Sequence, residues 1–417
     1  MHTLEDIRAG KHSQEKRLNI SQGLTEFPID IIEFCQQVEI LDIGNNQLTD
    51  LPNEISQLKN LKVLFASNNQ FSHLPEALGQ CEKLEMVGFK SNQIKTVSAE
   101  SLPQQLRWLI LTDNQIETLP EELGNRPRLQ KCALAGNKLS ELPQSMANNH
   151  NLQLLRVSAN QLKVFPKQLL KLPKLAWLAF AGNPFCQAYD LQSDLPIYQK
   201  QQFEFDKVLG MGASGIISLA HPIDIAELPQ QVAIKVFKGD VTSDGYPADE
   251  LSACLHVGEH RNLVKFIGRI EQDDCSAVVM ELIPDNFHNL GLPPSLASCT
   301  RDTFADSQSL SIKAIEDICS QMANMTQYLA QHHMQHGDLY AHNVLIDADN
   351  HALFGDFGAA SHYEYLSEDI QQQLQKIEGR ALGYFIEDLL SICVAEDKNT
   401  ELYQHWYQEA QRLINCI

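Results

Sequence analysis

His336-Gly337-Asp338-Leu339-Tyr340-Ala341-His342-Asn343, followed thirteen residues after Asn343 by Asp356-Phe357-Gly358, is the stretch that decides the reading of this chain. It sets an acid, an amide and a second acid in fixed order. Between them Val344-Leu345-Ile346 and Ala352-Leu353-Phe354 read as two short apolar strands, with Asp347-Ala348-Asp349-Asn350 as their turn. Such a hairpin fixes how far Asn343 stands from Asp356. Either motif alone could be a capped turn; the two together, ordered and spaced, point to a shared site.

Upstream, Phe203–Leu209, Gly210-Met211-Gly212-Ala213-Ser214-Gly215 and Ile216–Ala220 read as strand, glycine turn and strand. Glycine turns of this spacing also open dinucleotide folds, but there a helix follows. Here the following residues are β-branched and alternating, so a hairpin lid is expected. Val232-Ala233-Ile234-Lys235 places a lone cation in an apolar strand, where it needs a charged partner. Glu250, on an amphipathic helix through Leu251, Cys254 and Leu255, is the expected partner, with Asp249 as the alternative.

With these signals in order, residues 203–417 resemble a eukaryotic-type protein kinase domain. The resemblance implies a bilobal α+β fold, and ATP with Mg2+ as cofactors. It implies that Gly210, Gly212 and Gly215 cover phosphates, and that Lys235, steered by Glu250, contacts them. Backbone groups of Glu281 and Ile283 meet adenine, Asp338 is the catalytic base, and Asn343 and Asp356 bind magnesium. Four departures stand out. Gly337 replaces the usual Arg, so switching by loop phosphorylation is not expected. Only Ala359 to Ile377 separate Asp356-Phe357-Gly358 from Glu378-Gly379-Arg380-Ala381-Leu382-Gly383, which resembles the start of the central helix of the second lobe. Tyr340 and His342 stand where such enzymes carry Lys or Arg. The chain also ends soon after Gly383, which shortens that lobe. H-G-D with a short loop is also the pattern of aminoglycoside-type small-molecule phosphotransferases, a rival reading; a non-catalytic scaffold is a third.

The first half is periodic. Asn46, Asn69, Asn92, Asn114, Asn137, Asn160 and Asn183 recur every 22 or 23 residues within L-x-x-L-x-L-x-x-N-x-L-x-x-L-P, and a degenerate copy starts at Leu18. This matches the leucine-rich repeat: a solenoid of short parallel strands whose leucines form one core. Each Asn is expected to turn inward and satisfy backbone groups at the bend. The whole chain thus resembles leucine-rich-repeat protein kinases: an N-terminal helical cap over 1–17, repeats over 18–185, a linker over 186–202 and the kinase-like half over 203–417. Between the leucines, Phe65, Met86, Trp108, Ile110 and Trp177 are expected on the concave face. There they would bind a protein partner or substrate.

Charge is uneven. Residues 1–195 carry 19 Lys/Arg against 21 Asp/Glu, and residues 196–417 carry 13 against 32. An acidic second half disfavours nucleic acid and anionic membranes as partners. No apolar run reaches the ~20 residues that span a bilayer. The ten cysteines show no framework spacing and suit reduced thiols in the cytoplasm.

Overall fold

The computed structural model describes residues 2–186, 195–212, 215–238, 241–242, 244–272 and 275–416. It divides into two units, residues 1–175 with 183–185, and residues 176–182 with 186–417.

In the first unit seven short strands run in chain order: β1 (Arg17–Asn19), β2 (Ile40–Asp42), β3 (Val63–Phe65), β4 (Met86–Gly88), β5 (Trp108–Ile110), β6 (Lys131–Ala133) and β7 (Leu154–Arg156). All pair in parallel, with a one-repeat step fixing the register: Leu41 lies beside Leu64, Val87 beside Leu109. The inward residues Leu18, Leu41, Leu64, Leu109, Cys132 and Leu155 are wholly buried, which makes one continuous core. One-turn 310 segments follow the Leu-Pro steps on the returning side, as at Asn53–Gln57 and Gln144–Asn148.

The asparagines behave as a ladder. Asn46 Nδ2 donates to Ile20 O at 2.8 Å and Ile43 O at 2.9 Å, while its Oδ1 accepts from Gln22 N and Leu24 N. Asn69, Asn114 and Asn160 repeat the arrangement. Each side chain therefore neutralises backbone groups of two successive turns, which a buried bend would otherwise leave unmet. The residue before each ladder Asn is left-handed, as at Asn45, Asn68, Ser91, Asp113, Gly136, Ala159 and Gly182.

Two expectations for this half are corrected. Among the described residues of 2–17 the only helix is a single turn, α1 (Leu4–Arg8), which Thr3 caps by accepting from Asp6 N, and Gly10, left-handed, helps end it; a second short helix, α2 (Asp30–Phe34), follows β1. Met86 and Trp177 are not on an exposed face, each being 1% accessible. Met86 lies between the in-register Val63 and Trp108 and is enclosed, and its strand neighbour Gly88 leaves space for the Phe65 ring. Phe65, Trp108 and Ile110 stay partly exposed. Phe65 meets Trp108 edge-on at 6.5 Å, and Lys131 Nζ stands 4.4 Å over the indole.

The second unit opens with β8 (Trp177–Ala179), a strand of the last repeat. Six strands then form the sheet of its smaller lobe: β9 (Ile197–Tyr198), β10 (Phe203–Met211), β11 (Gly215–Pro222), β12 (Val232–Phe237), β13 (Phe266–Gln272) and β14 (Cys275–Glu281), in the order β10-β11-β12-β14-β13-β9. β9 corrects the linker. Residues 197–198 are an edge strand parallel to Arg269–Ile270, and Tyr198 packs over Gly268; residues 187–194 lie outside the described set. Helix α3 (Pro247–Val257) packs on this sheet, burying Leu251, Ala253 and Cys254.

The larger lobe is built on α4 (Ile312–Gln331), capped by Ser311 and burying Ile315, Ile318, Cys319, Met322, Met325 and Leu329 on one stripe. After it come β16 (Met334–Gln335), preceded in the chain by β15 (His288–Asn289), then the hairpin β17 (Val344–Ile346) and β18 (Ala352–Phe354), with β19 (Ser361–His362) pairing back on β16. Helices α5 (Glu368–Ser391) and α6 (Glu401–Ile414) complete it. α5 is the fourth correction: Glu378–Gly383 lies inside this helix, not at its start. Ile370, Leu374 and Ile377 are buried at helical spacing, so the apolar stripe carries the helix back to Glu368 and leaves only residues 360–367 as the connection. No helix among the described residues is long and apolar enough to cross a membrane.

Candidate functional site

The site forms where strands end and polar groups emerge from an apolar floor. β12 carries Lys235 between Ile234 and Val236, so its stem is buried and its ammonium must find charge within the unit. It finds two carboxylates: Glu250 of α3, in direct contact, and Asp356 at 3.2 Å. Burial by itself would lower the lysine's pKa, but Asp356 and Glu250 together outweigh it and raise it, so the cation is held firmly. Glu250 is 3% accessible; burial pushes its carboxyl up to about 7 against the pull of Lys235, with Asp356 adding to the rise. Its second oxygen, Oε2, has no hydrogen-bond partner among the described residues.

Asp249, the alternative partner, turns the other way. Its Oδ2 is buried and has no hydrogen-bond partner among the described residues, beside a cavity of about 230 Å3 lined by Gly182, Cys186, Ser252, His362 and Tyr365, and burial pushes its carboxyl up to about 6.

A cleft of about 480 Å3 brings most of the expected residues together. Gly210, Lys235, Glu250, Glu281, Ile283, Asn343 and Asp356 line it, over a floor that includes Ile217, Ala233, Met280 and Leu345. Gly212 and Gly215 do not line it: Gly212 N donates to Gly215 O at 3.0 Å and closes the hairpin, and a Cβ at Gly215 would strike Val236 O at 2.5 Å. Ala213 and Ser214 lie outside the described residues. Asp338 is reached through Asn343, whose Nδ2 donates to Asp338 Oδ2 at 2.8 Å and Asp338 O at 3.0 Å. That use of the amide hydrogens leaves Asn343 Oδ1 as an oxygen donor. Asp356 is left-handed at φ 56° and is followed by the buried Phe357, which anchors the turn beside His336. His336 itself is fully buried, stacked on Phe354 at 3.9 Å, and its Nε2 donates to Gly355 O.

Three contributors were missed from sequence. Glu378 of α5 accepts from His336 N and Gly337 N, both at 3.2 Å, and so holds the loop leading to Asp338. Asp302, almost wholly buried, accepts from Ala341 N and from His342 Nδ1 at 2.6 Å, and His342 lines the cleft. No local motif marks Asp302, because it acts from a loop nearly forty residues away. Trp177 is the third: its Nε1 donates to Leu339 O at 3.0 Å, and its ring lies on Tyr340 at 4.5 Å. One fixed cation beside several carboxylates and an amide oxygen suits a site that holds an anionic group together with a cation.

Residues 203–380 match the family model for protein tyrosine and serine/threonine kinases, and residues 36–94 match a leucine-rich-repeat model. Fibroblast growth factor receptor 1 of Xenopus laevis is 27% identical over 215 residues, 47% of this chain and 26% of that protein. Its counterpart in Pleurodeles waltl is 26% identical over the same lengths. The chain therefore spans about a quarter of the length of these curated relatives. A solved leucine-rich-repeat protein of Leptospira interrogans is 27% identical, with a TM-score of 0.37, covering 43% of this chain and 52% of that one.

Proposed function

We propose that this chain, which joins leucine-rich repeats to a protein kinase domain, is an ATP- and magnesium-dependent protein phosphotransferase acting on serine or threonine in the cytoplasm. The observation that carries the reading is the buried Lys235 between Glu250 and Asp356 at the wall of a cleft that also holds Asn343. The residues fit the group. Asn343 Oδ1 and the Asp356 carboxylate are hard oxygen donors of the kind magnesium takes. The cleft's volume of about 480 Å3 is that of a small-molecule site. A magnesium nucleotide bound there supplies the transferable phosphoryl group and the neutralisation of its charge.

The chain's own residues do the rest. Lys235 sets a fixed positive charge against phosphate oxygens, and Glu250 keeps it from folding onto Asp356 alone. Gly210 lines the cleft, the hairpin that Gly212 and Gly215 close stands as its lid, and backbone groups at Glu281 and Ile283 face the base. Asp338, oriented by the Asn343 amide, accepts the proton of the attacking hydroxyl. The short connection over residues 360–367 leaves little surface for a peptide. That favours one second reading, a small-molecule acceptor.

The test is the full chain with labelled ATP, a protein extract and a panel of small alcohols and aminoglycosides, with Asp338→Asn beside it. Labelled polypeptide in the wild type, and none in the variant, is expected. Label in a small molecule would move the reading to the rival class, and no transfer to either would overturn both. Mg-ATP should also raise the unfolding temperature of the second unit, by about 3 kcal/mol of stability at 100-fold excess over Kd.

A further inference from the structure

Gly337 sits left-handed at φ 73°, and a Cβ there would come within 2.6 Å of Leu178 O and 2.8 Å of Ala359 O. No side chain fits, because a strand from the last repeat occupies the space. That strand makes a continuous set of contacts. Gln335 Nε2 donates to Leu178 O, Trp177 Nε1 donates to Leu339 O at 3.0 Å, and Phe180 N donates to Ser361 Oγ at 3.0 Å. Trp177 also stacks with two rings, Tyr340 at 4.5 Å and Tyr384 of α5 at 5.4 Å. Arg301 lies 4.7 Å over the Tyr384 ring and is tied to Glu387 and Asp388.

The loop over residues 335–340 is thus held on two sides: Glu378 grips its amides from α5, and Trp177 and Leu178 grip it from a strand about 160 residues earlier in sequence. Asp338 lies between Gly337 and Leu339, the two residues those contacts fix. The same strand reaches the segment after Asp356 through Ser361. A buried indole makes a stiff anchor: it has two side-chain torsions, a large stacking surface and one directional donor.

We infer that Trp177 is a positioning residue for the phosphotransfer site, an inference that rests on the phosphotransferase reading. Through Leu339 O and the Tyr340 ring it sets the aim of Asp338, and with Leu178 it does so by permanent packing. The catalytic loop is then ordered without any modification of residues 359–367.

Trp177→Phe in the full chain tests this. Phenylalanine keeps the stack and most of the volume but has no donor for Leu339 O. Amide hydrogen exchange over residues 335–343 should speed up by about fivefold, the scale of one lost hydrogen bond, while the β10–β14 sheet and the Mg-ATP-induced rise in unfolding temperature stay as in wild type. Phosphotransfer should lose kcat by about tenfold or more with the KM for ATP little changed. Unchanged exchange over 335–343 in a folded Trp177→Phe protein overturns the inference, and so does unchanged kcat. If the wild type transfers no phosphate, the functional reading fails instead, and exchange alone decides whether Trp177 orders the loop.

Discussion

Replacing Asp249 with Asn should stabilise the second unit, and more so at pH 8 than at pH 5. Asp249 sits in the first turn of α3 with Oδ2 buried, without a hydrogen-bond partner among the described residues, and facing the small cavity beside Gly182 and Tyr365. Burial raises its carboxyl from 3.8 to about 6. A carboxyl whose pKa is higher in the folded chain binds its proton more tightly there. Its favourable contribution is therefore present in acid and is lost as pH rises from about 4 through about 6. The full penalty, near two pKa units, is about 3 kcal/mol above pH 7 and about half that at pH 5, as upper bounds for a side chain not wholly enclosed. Removing an anion from the first turn of α3 costs roughly 0.5 kcal/mol of helix-dipole energy, too little to reverse the sign. The variant's transition, identified as the one that Mg-ATP shifts, should rise by roughly 5–10 °C at pH 8 and clearly less at pH 5. An equal rise at both pH values, or none at pH 8, would refute the claim that Asp249 is ionised at a desolvation cost.

Two more expectations concern the repeats and the boundary. The partly exposed Phe65, Trp108 and Ile110 remain the candidate docking surface once Met86 and Trp177 are removed from it, and Phe65→Ala with Trp108→Ala should cost a protein substrate about 2 kcal/mol in kcat/KM while leaving ATP affinity alone; steady-state kinetics against one labelled substrate decides it. A chain cut to residues 196–417 should lose cooperative unfolding, whereas 176–417 should keep it, because the shorter piece lacks Trp177, whose burial alone is a matter of about 3–5 kcal/mol in a total of about 5–15. Calorimetry of the two pieces is the check, and equal cooperativity would contradict the place given to β8.

Patterns that repeat or sit close in sequence were legible; contacts closed by the fold were not. The asparagine ladder could be anticipated because the same bend recurs, and even its left-handed turn has a mark in Asn45, Asn68, Asp113, Gly136 and Gly182, residue types that tolerate positive φ. Lys235 demanded an acid, and helix α3 offered two neighbours; only the helix rotation, which aims Glu250 inward and Asp249 toward Gly182, separates them. At α5 the residues themselves were the better guide: Ile370, Leu374 and Ile377 keep helical spacing, and a family motif at Glu378 drew the start ten residues too late. Trp177 shows the limit of pattern. In sequence it occupies the same place between leucines as Trp108, and nothing local distinguishes a residue that stays partly open from one that is closed by Tyr340 and Tyr384. The distinguishing residue is distant and small. Gly337, where a side chain would be expected, is the gap that the backbone of Leu178 fills, and reading it as a missing arginine accounts for a loss while the structure puts a strand in that place.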